Sequence, residues 1–309
     1  MSAVQRQPAP QHRFLHAAGL MLASTLLFGL MAITIRYASR TVDTLEIAFF
    51  RNAFGLLALL PVLLRGDRAN LRTRQLPRYL VRSAIGIGSM LCGFWAIGHL
   101  PLSQAISLSY STPLFVTIAA AMWLGEQVRR RRWAAVIVGF LGVLVIVRPG
   151  TSEFSHGSLI AVAAAVLSAV VAIQIKQLSR IDAADTIVFY TYLFWVPLSL
   201  VPALFVWQWP QGAAWAWLVL TGIFGTAAQL LWTRALRMGD VSALTPISFM
   251  QLPVVAVAGY FLFGEGIDRW TVIGAVIIFA ANAYIAHREA QLARVHATKA
   301  PVEAAKPGE

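Results

Sequence analysis

An arginine and a tyrosine occupy matching places in two apolar segments of the chain, and they are the residues most suited to bind a ligand. Arg51 lies about six residues into segment 45–64, and Tyr190 lies at the same depth in segment 185–206. An ionised side chain at the centre of a membrane costs about 2.5 to 3.5 kcal/mol, so it usually faces a cavity or a partner. A cation and a phenol on facing walls suit a ligand with a carboxylate, a phosphate or a flat ring.

The charged residues can also have structural roles instead of binding a ligand. The side chain of Arg51 can extend to the outer surface of the membrane, or it can pair with Glu46. Arg82 lies one turn inside the next apolar segment and is expected to extend to the cytoplasmic surface. Glu46 and Asp185 begin two matching segments, where an acid stabilises the start of a helix through the macrodipole.

Prolines with polar neighbours interrupt two other apolar segments. Pro113 lies in segment 102–124, and Pro246 and Pro253 lie in segment 241–263. A membrane tolerates the carbonyls that a proline frees only where they are buried in protein or line a cavity. We expect the two broken helices to cross near the membrane centre and to line a substrate site, as broken helices do in many transporters. A kink without binding is the alternative.

The candidate site therefore combines residues from the segments that carry Arg51 and Tyr190 with residues from the segments that prolines interrupt. The predicted substrate-binding residues are Arg51, Trp95, Tyr110, Thr112, Pro113, Tyr190, Gln229, Trp232, Phe249 and Gln251. Taken singly, an aromatic residue in a membrane segment more often packs against lipid or another helix. A glutamine there can equally bond a neighbouring helix. No catalytic residue, metal site or cofactor is predicted.

The chain contains two copies of one unit. Residues from Glu46 to Glu126 align with those from Asp185 to Glu265 at a constant offset of 139, without a gap. At an offset of 140, LFGLMAITIR (residues 27–36) also aligns with LSAVVAIQIK (residues 167–176). A chance match would not keep its register over such a length.

The composition places this repeat in a membrane. The chain is 58% hydrophobic and only 12% charged, whereas about a quarter of an average soluble domain is charged. About ten apolar segments have the roughly 20 residues that a helix needs to cross the bilayer. The predicted fold is an all-α membrane protein with ten transmembrane helices arranged as two inverted five-helix repeats. We expect repeats at residues 14–150 and 151–287, between disordered cytoplasmic tails at 1–13 and 288–309.

The basic residues set the predicted orientation. If the amino terminus is cytoplasmic, 19 Lys and Arg residues lie in inner segments and four in outer ones. This bias favours cytoplasmic termini and, for a bacterial chain, the inner membrane. Five spans in each copy then require the second copy to be inverted. Inverted repeats are typical of secondary transporters, because exchanging the shapes of the two units alternates access between the two sides.

Four motifs carry a resemblance to a known family: LEIAFFRNAFGLLALLP (45–61), RSAIGIGSM (82–90), ISLSYSTPLF (106–115) and RWAAVIVGFLGVLVIVRP (132–149). With them the chain resembles the EamA-type branch of the drug/metabolite transporter superfamily. The resemblance implies ten-span carriers built from two five-span repeats. The chain is similar to carriers of S-adenosylmethionine, riboflavin and opine-type metallophores within this family. The resemblance does not indicate which substrate this chain carries.

The predicted function is transport of a small organic metabolite by alternating access. The alternatives are a drug or metabolite exporter of the same fold and, less favoured, a membrane enzyme, because G-x-S-x-G and H-E-x-x-H patterns are missing. Expected partners are a small anionic or aromatic substrate and membrane lipid, not nucleic acid, in a monomer or homodimer. Substrate identity, direction, energy coupling and oligomeric state stay open.

Overall fold

The chain folds into helices separated by short connections. The computed structural model describes residues 10–65, 73–123, 130–151, 154–178, 181–182, 184–238, 244, 247–266 and 268–303. Within these residues, all regular secondary structure is α-helical. The helices are α1 (Pro10–Ala38), α2 (Thr44–Arg65), α3 (Leu76–His99), α4 (Leu102–Ser109), α5 (Thr112–Trp123), α6 (Arg130–Val147), α7 (His156–Leu178), α8 (Ala184–Leu204), α9 (Ala214–Met238), α10 (Gln251–Phe263) and α11 (Arg269–Glu303).

Six helical segments of the described chain are long and apolar enough to cross a membrane: Leu15–Ala38, Leu76–His99, Leu102–Trp123, His156–Ile175, Ala214–Trp232 and Arg269–Arg288. Two shorter apolar helices are Phe189–Leu204 and Gln251–Phe263. The protein is therefore a multi-pass membrane protein. The count of ten spans stays a prediction.

The helices pack in pairs that repeat across the two copies. Helix α1 packs along α9, and their equivalents α7 and α3 pack along each other in the same way. Three other pairs join a helix to its own equivalent: α2 with α8, α4 with α10, and α6 with α11. The two copies are therefore intertwined.

Glycines allow the α6–α11 pair to approach closely. A Cβ atom at Gly142 would lie 2.9 Å from the backbone oxygen of Gly274, and one at Gly274 would lie 2.6 Å from the backbone oxygen of Gly142. A backbone atom cannot move aside as a side chain can. Small residues at this crossing are therefore required, as is common where membrane helices associate.

Polar contacts join the copies at both ends of the bundle. At the end that we call the Arg36 end, Nη2 of Arg36 lies 2.8 Å from Oε1 of Glu265, and Nη2 of Arg148 lies 2.8 Å from Oδ2 of Asp268. At the opposite Tyr79 end, the hydroxyl of Tyr79 donates to Oδ2 of Asp182 at 2.8 Å.

The prediction of disordered tails is wrong where the structure describes them. Helix α1 begins at Pro10, and α11 continues to Glu303, well past the predicted span. Segment 288–299 is rich in Ala, Glu, Arg, Gln and Lys, which have high helix propensity, so the membrane helix extends beyond its apolar part. Residues 1–9 and 304–309 lie outside the described part.

Candidate functional site

Arg51 is enclosed in the middle of the bundle. It is only 7% exposed. Its Nη1 donates to Oδ1 of Asn52 at 2.9 Å and lies 3.9 Å from the sulfur of Met90 on α3. The guanidinium carbon lies 5.8 Å from the ring centroid of Tyr192 and 5.6 Å from that of Trp195, both on α8. We call these five residues the Arg51 cluster.

Two glycines at equivalent positions make room for this cluster. Gly86 on α3 and Gly225 on α9 are related by the repeat offset of 139. A Cβ atom at Gly225 would lie 3.2 Å from Nε of Arg51, and one at Gly86 would lie 3.0 Å from the ring of Trp195. Each copy therefore supplies one glycine against which a large cluster side chain packs.

The charge of Arg51 has no carboxylate partner in the described part of the chain. The acid that the sequence offers as a partner, Glu46, instead accepts a hydrogen bond at 2.6 Å from the backbone N–H of Gln208. Nearby, the buried indole Nε1 of Trp195 has no hydrogen-bond acceptor among the residues that the structure describes. The cluster thus presents a cation and an N–H donor, both of which an oxyanion could satisfy.

A cavity of about 230 Å³ adjoins the cluster at Met90, which lines it. It lies between α3, α4, α5 and α7, and the hydroxyls of Ser89, Ser109, Thr112 and Ser168 are among its polar lining. Ser89 donates to the backbone oxygen of Ala164 at 2.9 Å and shares a 2.7 Å hydrogen bond with Ser168. The cavity can therefore hold a small uncharged group beside the arginine.

The predicted break in the fourth apolar segment is real, but the proline does not cause it. Helix α4 ends at Ser109 and α5 begins at Thr112, which places Pro113 in the first turn of a new helix, where a proline N–H is not needed. Hydroxyls satisfy the carbonyls at the break: Ser111 donates to Leu108 at 2.7 Å and Thr112 donates to Ser109 at 2.8 Å.

The second break lies at the equivalent place, and the two breaks meet. Phe249, at the offset of 139 from Tyr110, lies in the turn before α10. The two rings stack with centroids 4.3 Å apart. The hydroxyl of Tyr110 donates to the backbone oxygen of Ser248 and lies 3.2 Å from Oε1 of Gln251. Pro253 again lies in the first turn of the new helix, and Pro246 lies outside the described residues.

An asparagine on α11 completes this junction. Nδ2 of Asn282 donates to the backbone oxygen of Tyr110 at 2.8 Å, and Asn282 is 3% exposed. The backbone carbonyls of the first break already accept hydrogen bonds from the protein. The junction therefore does not offer these carbonyls to a ligand. It fixes where the halves cross.

Two predicted residues lie elsewhere than expected. Tyr190 does not face Arg51: its ring packs 5.0 Å from that of Tyr79 and belongs to a cluster at the Tyr79 end. Residues 190 and 192 are two apart on one helix, so they point in different directions. Trp95 lies near the Arg36 end of α3, where its ring stacks on His99 at 4.1 Å.

The remaining predicted residues lie on α9. Gly225, Gln229 and Trp232 have the i, i+4, i+7 spacing that places side chains on one face of a helix. Gln229 is half-buried and Trp232 is 39% exposed. This face runs from the Arg51 cluster towards the Tyr79 end.

The expectation that Arg82 extends to the surface is wrong. Arg82 is 5% exposed, and its Nη1 donates to the hydroxyl of Thr191 on α8. The buried position exists because α3 and α8 pack together along their length. Arg82 therefore holds these helices together instead of contacting the membrane surface.

Sequence reasoning missed Asn52 and Met90 as members of the site, and it considered Tyr192 and Trp195 as possible stacking surfaces without including them in the predicted set. Asn52 directly follows Arg51, and Trp195 faces Gly86, so the matched pair Gly86 and Gly225 was the available signal. A glycine repeated at the same place in both copies indicates that something large lies opposite.

Comparison with known proteins gives consistent matches along the chain. Residues 16–148 and 155–286 each match the model of the EamA-like transporter family. A riboflavin transporter from Vibrio cholerae is 32% identical over 289 residues, 92% of this chain and 97% of the relative. An S-adenosylmethionine uptake transporter from Rickettsia felis is 29% identical over 276 residues, 89% of this chain and 94% of the relative.

An exporter and a solved structure also match. The pseudopaline exporter of Pseudomonas aeruginosa is 31% identical over 271 residues, 85% of this chain and 94% of the relative. One crystal structure superposes with a TM-score of 0.62 at 23% identity, covering 88% of this chain and 98% of the other. The last similarity concerns the fold alone.

Proposed function

Because the chain belongs to the EamA-like transporter family, we propose that it is a secondary transporter that carries a small organic anion across the bacterial inner membrane. The observation that carries the choice of an anion is Arg51, buried beside two aromatic rings without a carboxylate partner among the described residues. A ligand carboxylate or phosphate would neutralise this charge inside the bundle.

The energetics favour such a ligand. An arginine stays protonated in proteins. A buried ion that has no oppositely charged partner loses on the order of several kcal/mol of hydration free energy. An oxyanion would bind Arg51 with charge-assisted hydrogen bonds and could also accept from the indole N–H of Trp195. The rings of Tyr192 and Trp195 and the cavity beside Met90 suit a flat or small uncharged remainder.

We place the Arg36 end outside the cell and the Tyr79 end inside. The excess of basic residues in the segments assigned to the inner side supports this orientation. The proposed arrangement has ten spans in two inverted repeats, with both termini cytoplasmic. The pairing of α1 with α9 and of α7 with α3 is what a two-fold relationship between the copies requires.

Contacts at the Arg36 end support a state closed to the outside. Arg36 of the first copy pairs with Glu265 of the second, and Oε2 of Glu265 also accepts at 2.7 Å from the backbone N–H of Leu102, the first residue of α4. Tyr37 stacks on Trp217 with centroids 4.6 Å apart. In alternating access, opening to the outside would separate these pairs.

The same geometry serves uptake and export. The relatives named above include uptake transporters and an exporter. Direction therefore depends on the gradients that drive the carrier and is an experimental question.

The test begins with binding. The purified full-length protein is screened for thermal stabilisation by S-adenosylmethionine, riboflavin, flavin mononucleotide and amino acids. We expect stabilisation by compounds that carry a carboxylate or phosphate, and its loss in Arg51→Gln. The matched control is Arg130→Gln, an exposed arginine at the start of α6. Retained binding in Arg51→Gln would overturn the site.

Transport is then measured with the stabilising compound in proteoliposomes, in both directions. Uptake that depends on Arg51 supports the proposal. Labelling of cysteines placed at Gln211 and Arg74 from opposite sides of the membrane tests the inverted arrangement, because these positions should face different compartments.

A further inference from the structure

We propose that a cavity of about 540 Å³ between the Tyr79 ends of α3 and α7 binds one anionic phospholipid of the cytoplasmic leaflet. The cavity is separate from the Arg51 cluster and has no part in the transport proposal beyond its orientation. Its lining consists of Pro77, Arg78, Val81, Gln174, Gln177, Leu178 and Ile181.

The cavity opens towards the bilayer. Val81 is 55% exposed and Ile181 is 53% exposed, although both are large and apolar. On α3, Val81 is on the side turned away from α8, because Tyr79, Arg82 and Gly86 on the opposite side contact α8. A bound phospholipid would cover both residues, with an acyl chain against Val81, which lies within α3.

A phosphate-binding group stands at the mouth of the cavity. Arg78 is exposed in the first turn of α3 and has no acidic partner in the described part of the chain. The nearby acid, Asp182, already accepts hydrogen bonds from Thr73 at 2.7 Å and from Tyr79 at 2.8 Å. The guanidinium of Arg78 is therefore available for a phosphate, which it can bind with two hydrogen bonds.

A second polar group lies deeper in the cavity. Gln174 is one turn before Leu178 on α7, about 6 Å further into the membrane. It lines the cavity, and its carboxamide offers N–H donors as well as the acceptor Oε1. A phospholipid has ester carbonyls below its phosphate, and the carboxamide N–H of Gln174 can donate to one of them. The guanidinium of Arg78 and the carboxamide of Gln174 thus lie at two depths, as the phosphate and the ester groups of a phospholipid do.

Charge favours an anionic lipid over a zwitterionic one. In the sequence, Lys176 and Arg180 are next to the lining residues Gln177 and Ile181. Each cationic residue near an anionic leaflet adds about 1 kcal/mol of attraction, and basic pockets between helices on the cytoplasmic side bind anionic head groups. Free phosphate would use Arg78 but would leave the apolar wall uncovered.

The test uses the full-length protein in detergent and native mass spectrometry, with phosphatidylglycerol, phosphatidylcholine or inorganic phosphate added. We expect retention of one phosphatidylglycerol, and about fivefold weaker retention in Arg78→Gln, the equivalent of about 1 kcal/mol. Gln174→Leu keeps the charge and should also weaken retention. The matched control Arg74→Gln removes an exposed arginine that does not line the cavity.

Three results would overturn the proposal. Equal retention of phosphatidylcholine would remove the preference for an anion. Displacement of phosphatidylglycerol by millimolar phosphate would indicate a simple anion site. Equal losses in Arg78→Gln and Arg74→Gln would indicate unspecific attraction. Because binding of the Arg51 ligands is measured separately, failure here leaves the transport proposal untouched, and the reverse also holds.

Discussion

The ring of Tyr110 stacks on the ring of Phe249 with centroids 4.3 Å apart, and these residues are equivalents in the two copies of the repeat. Equivalent residues can touch only where they lie on the axis that relates the copies. The junction of the two helix breaks therefore marks that axis. Because Tyr110 also donates to the backbone oxygen of Ser248, each break depends on the other.

Removing the hydroxyl of Tyr110 should weaken this junction without removing the stack. Tyr110→Phe leaves the ring in place but takes the donor from the Ser248 carbonyl. We expect a loss of about 0.5 to 1.5 kcal/mol of stability, the usual net contribution of one hydrogen bond. Thermal unfolding in detergent measures it. Tyr260→Phe, at a residue that is 56% exposed, is the control and should change little.

The contact between Tyr110 and Phe249 also shows which features could be predicted from the sequence and which could not. The repeat offset correctly predicted that two breaks would correspond, and the resemblance to the EamA branch is confirmed. It also suggested that Tyr190 would face Arg51, but an offset shows which residues are equivalent, not which residues meet. Tyr110 and Phe249 lie on the axis and meet, whereas the rings over Arg51 belong to Tyr192 and Trp195.

The direction in which a side chain points from its helix was the other feature that could not be predicted from the sequence. The depth of Arg82 suggested a residue near the membrane surface, but its direction towards α8 buries it against Thr191. Apolar composition identified the helices well, because burial in lipid makes similar demands on every face. It could not identify the faces that meet, since lipid-facing and helix-facing residues are equally apolar.

Breaking the Arg36–Glu265 pair should open the Arg36 end. Its side chains are 20% and 13% exposed, so the pair is largely sheltered from water. We expect Glu265→Gln to lose about 1.5 to 3 kcal/mol of stability, as for hydrogen bonds to charged groups. Spin labels at Thr41 and Gln211, one in each copy, should give longer distances than in the wild type.

The double variant Arg36→Gln/Glu265→Gln provides the control for that experiment. If the two residues act through each other, the double variant should lose less stability than the sum of the single variants. Strictly additive losses, with unchanged label distances, would show that the pair does not hold the two copies together.

The close crossing of α6 and α11 should not accept even one methyl group. In Gly142→Ala the new Cβ would meet the backbone oxygen of Gly274 at 2.9 Å. We expect a loss of about 1 to 3 kcal/mol from overpacking. Gly19→Ala is the control, because nothing lies within 4 Å of a Cβ atom there. A neutral Gly142→Ala in the same unfolding assay would contradict this account of the crossing.

The pair of Arg148 and Asp268 should make the protein sensitive to acid. Burial alone would raise the pKa of Asp268, but hydrogen bonds from Thr271 and Trp270 and the charge of Arg148 outweigh it and lower the pKa. A carboxyl group with a lowered pKa stabilises the fold at pH values above its unfolded value, about 3.9. That stabilisation is lost as the pH falls through the folded value.

We therefore expect the melting temperature of the wild type to fall more steeply below about pH 4 than that of Asp268→Asn. The two curves should run parallel at higher pH, with the variant lower. Asp43→Asn, at an exposed acid in the connection before α2, is the control. Parallel curves over the whole acid range would show that Asp268 makes no such contribution.

Replacing Arg51 by lysine separates its charge from its shape. Lysine keeps the cation but loses the planar group that lies over the rings of Tyr192 and Trp195 and offers paired N–H donors. If the ligand oxyanion takes two of these donors, Arg51→Lys should bind about tenfold more weakly, which corresponds to about 1.4 kcal/mol. Calorimetry with the stabilising compound of the binding screen measures this. Arg51→Gln should bind less tightly still, and equal affinities for the wild type and the lysine variant would mean that only the charge is recognised.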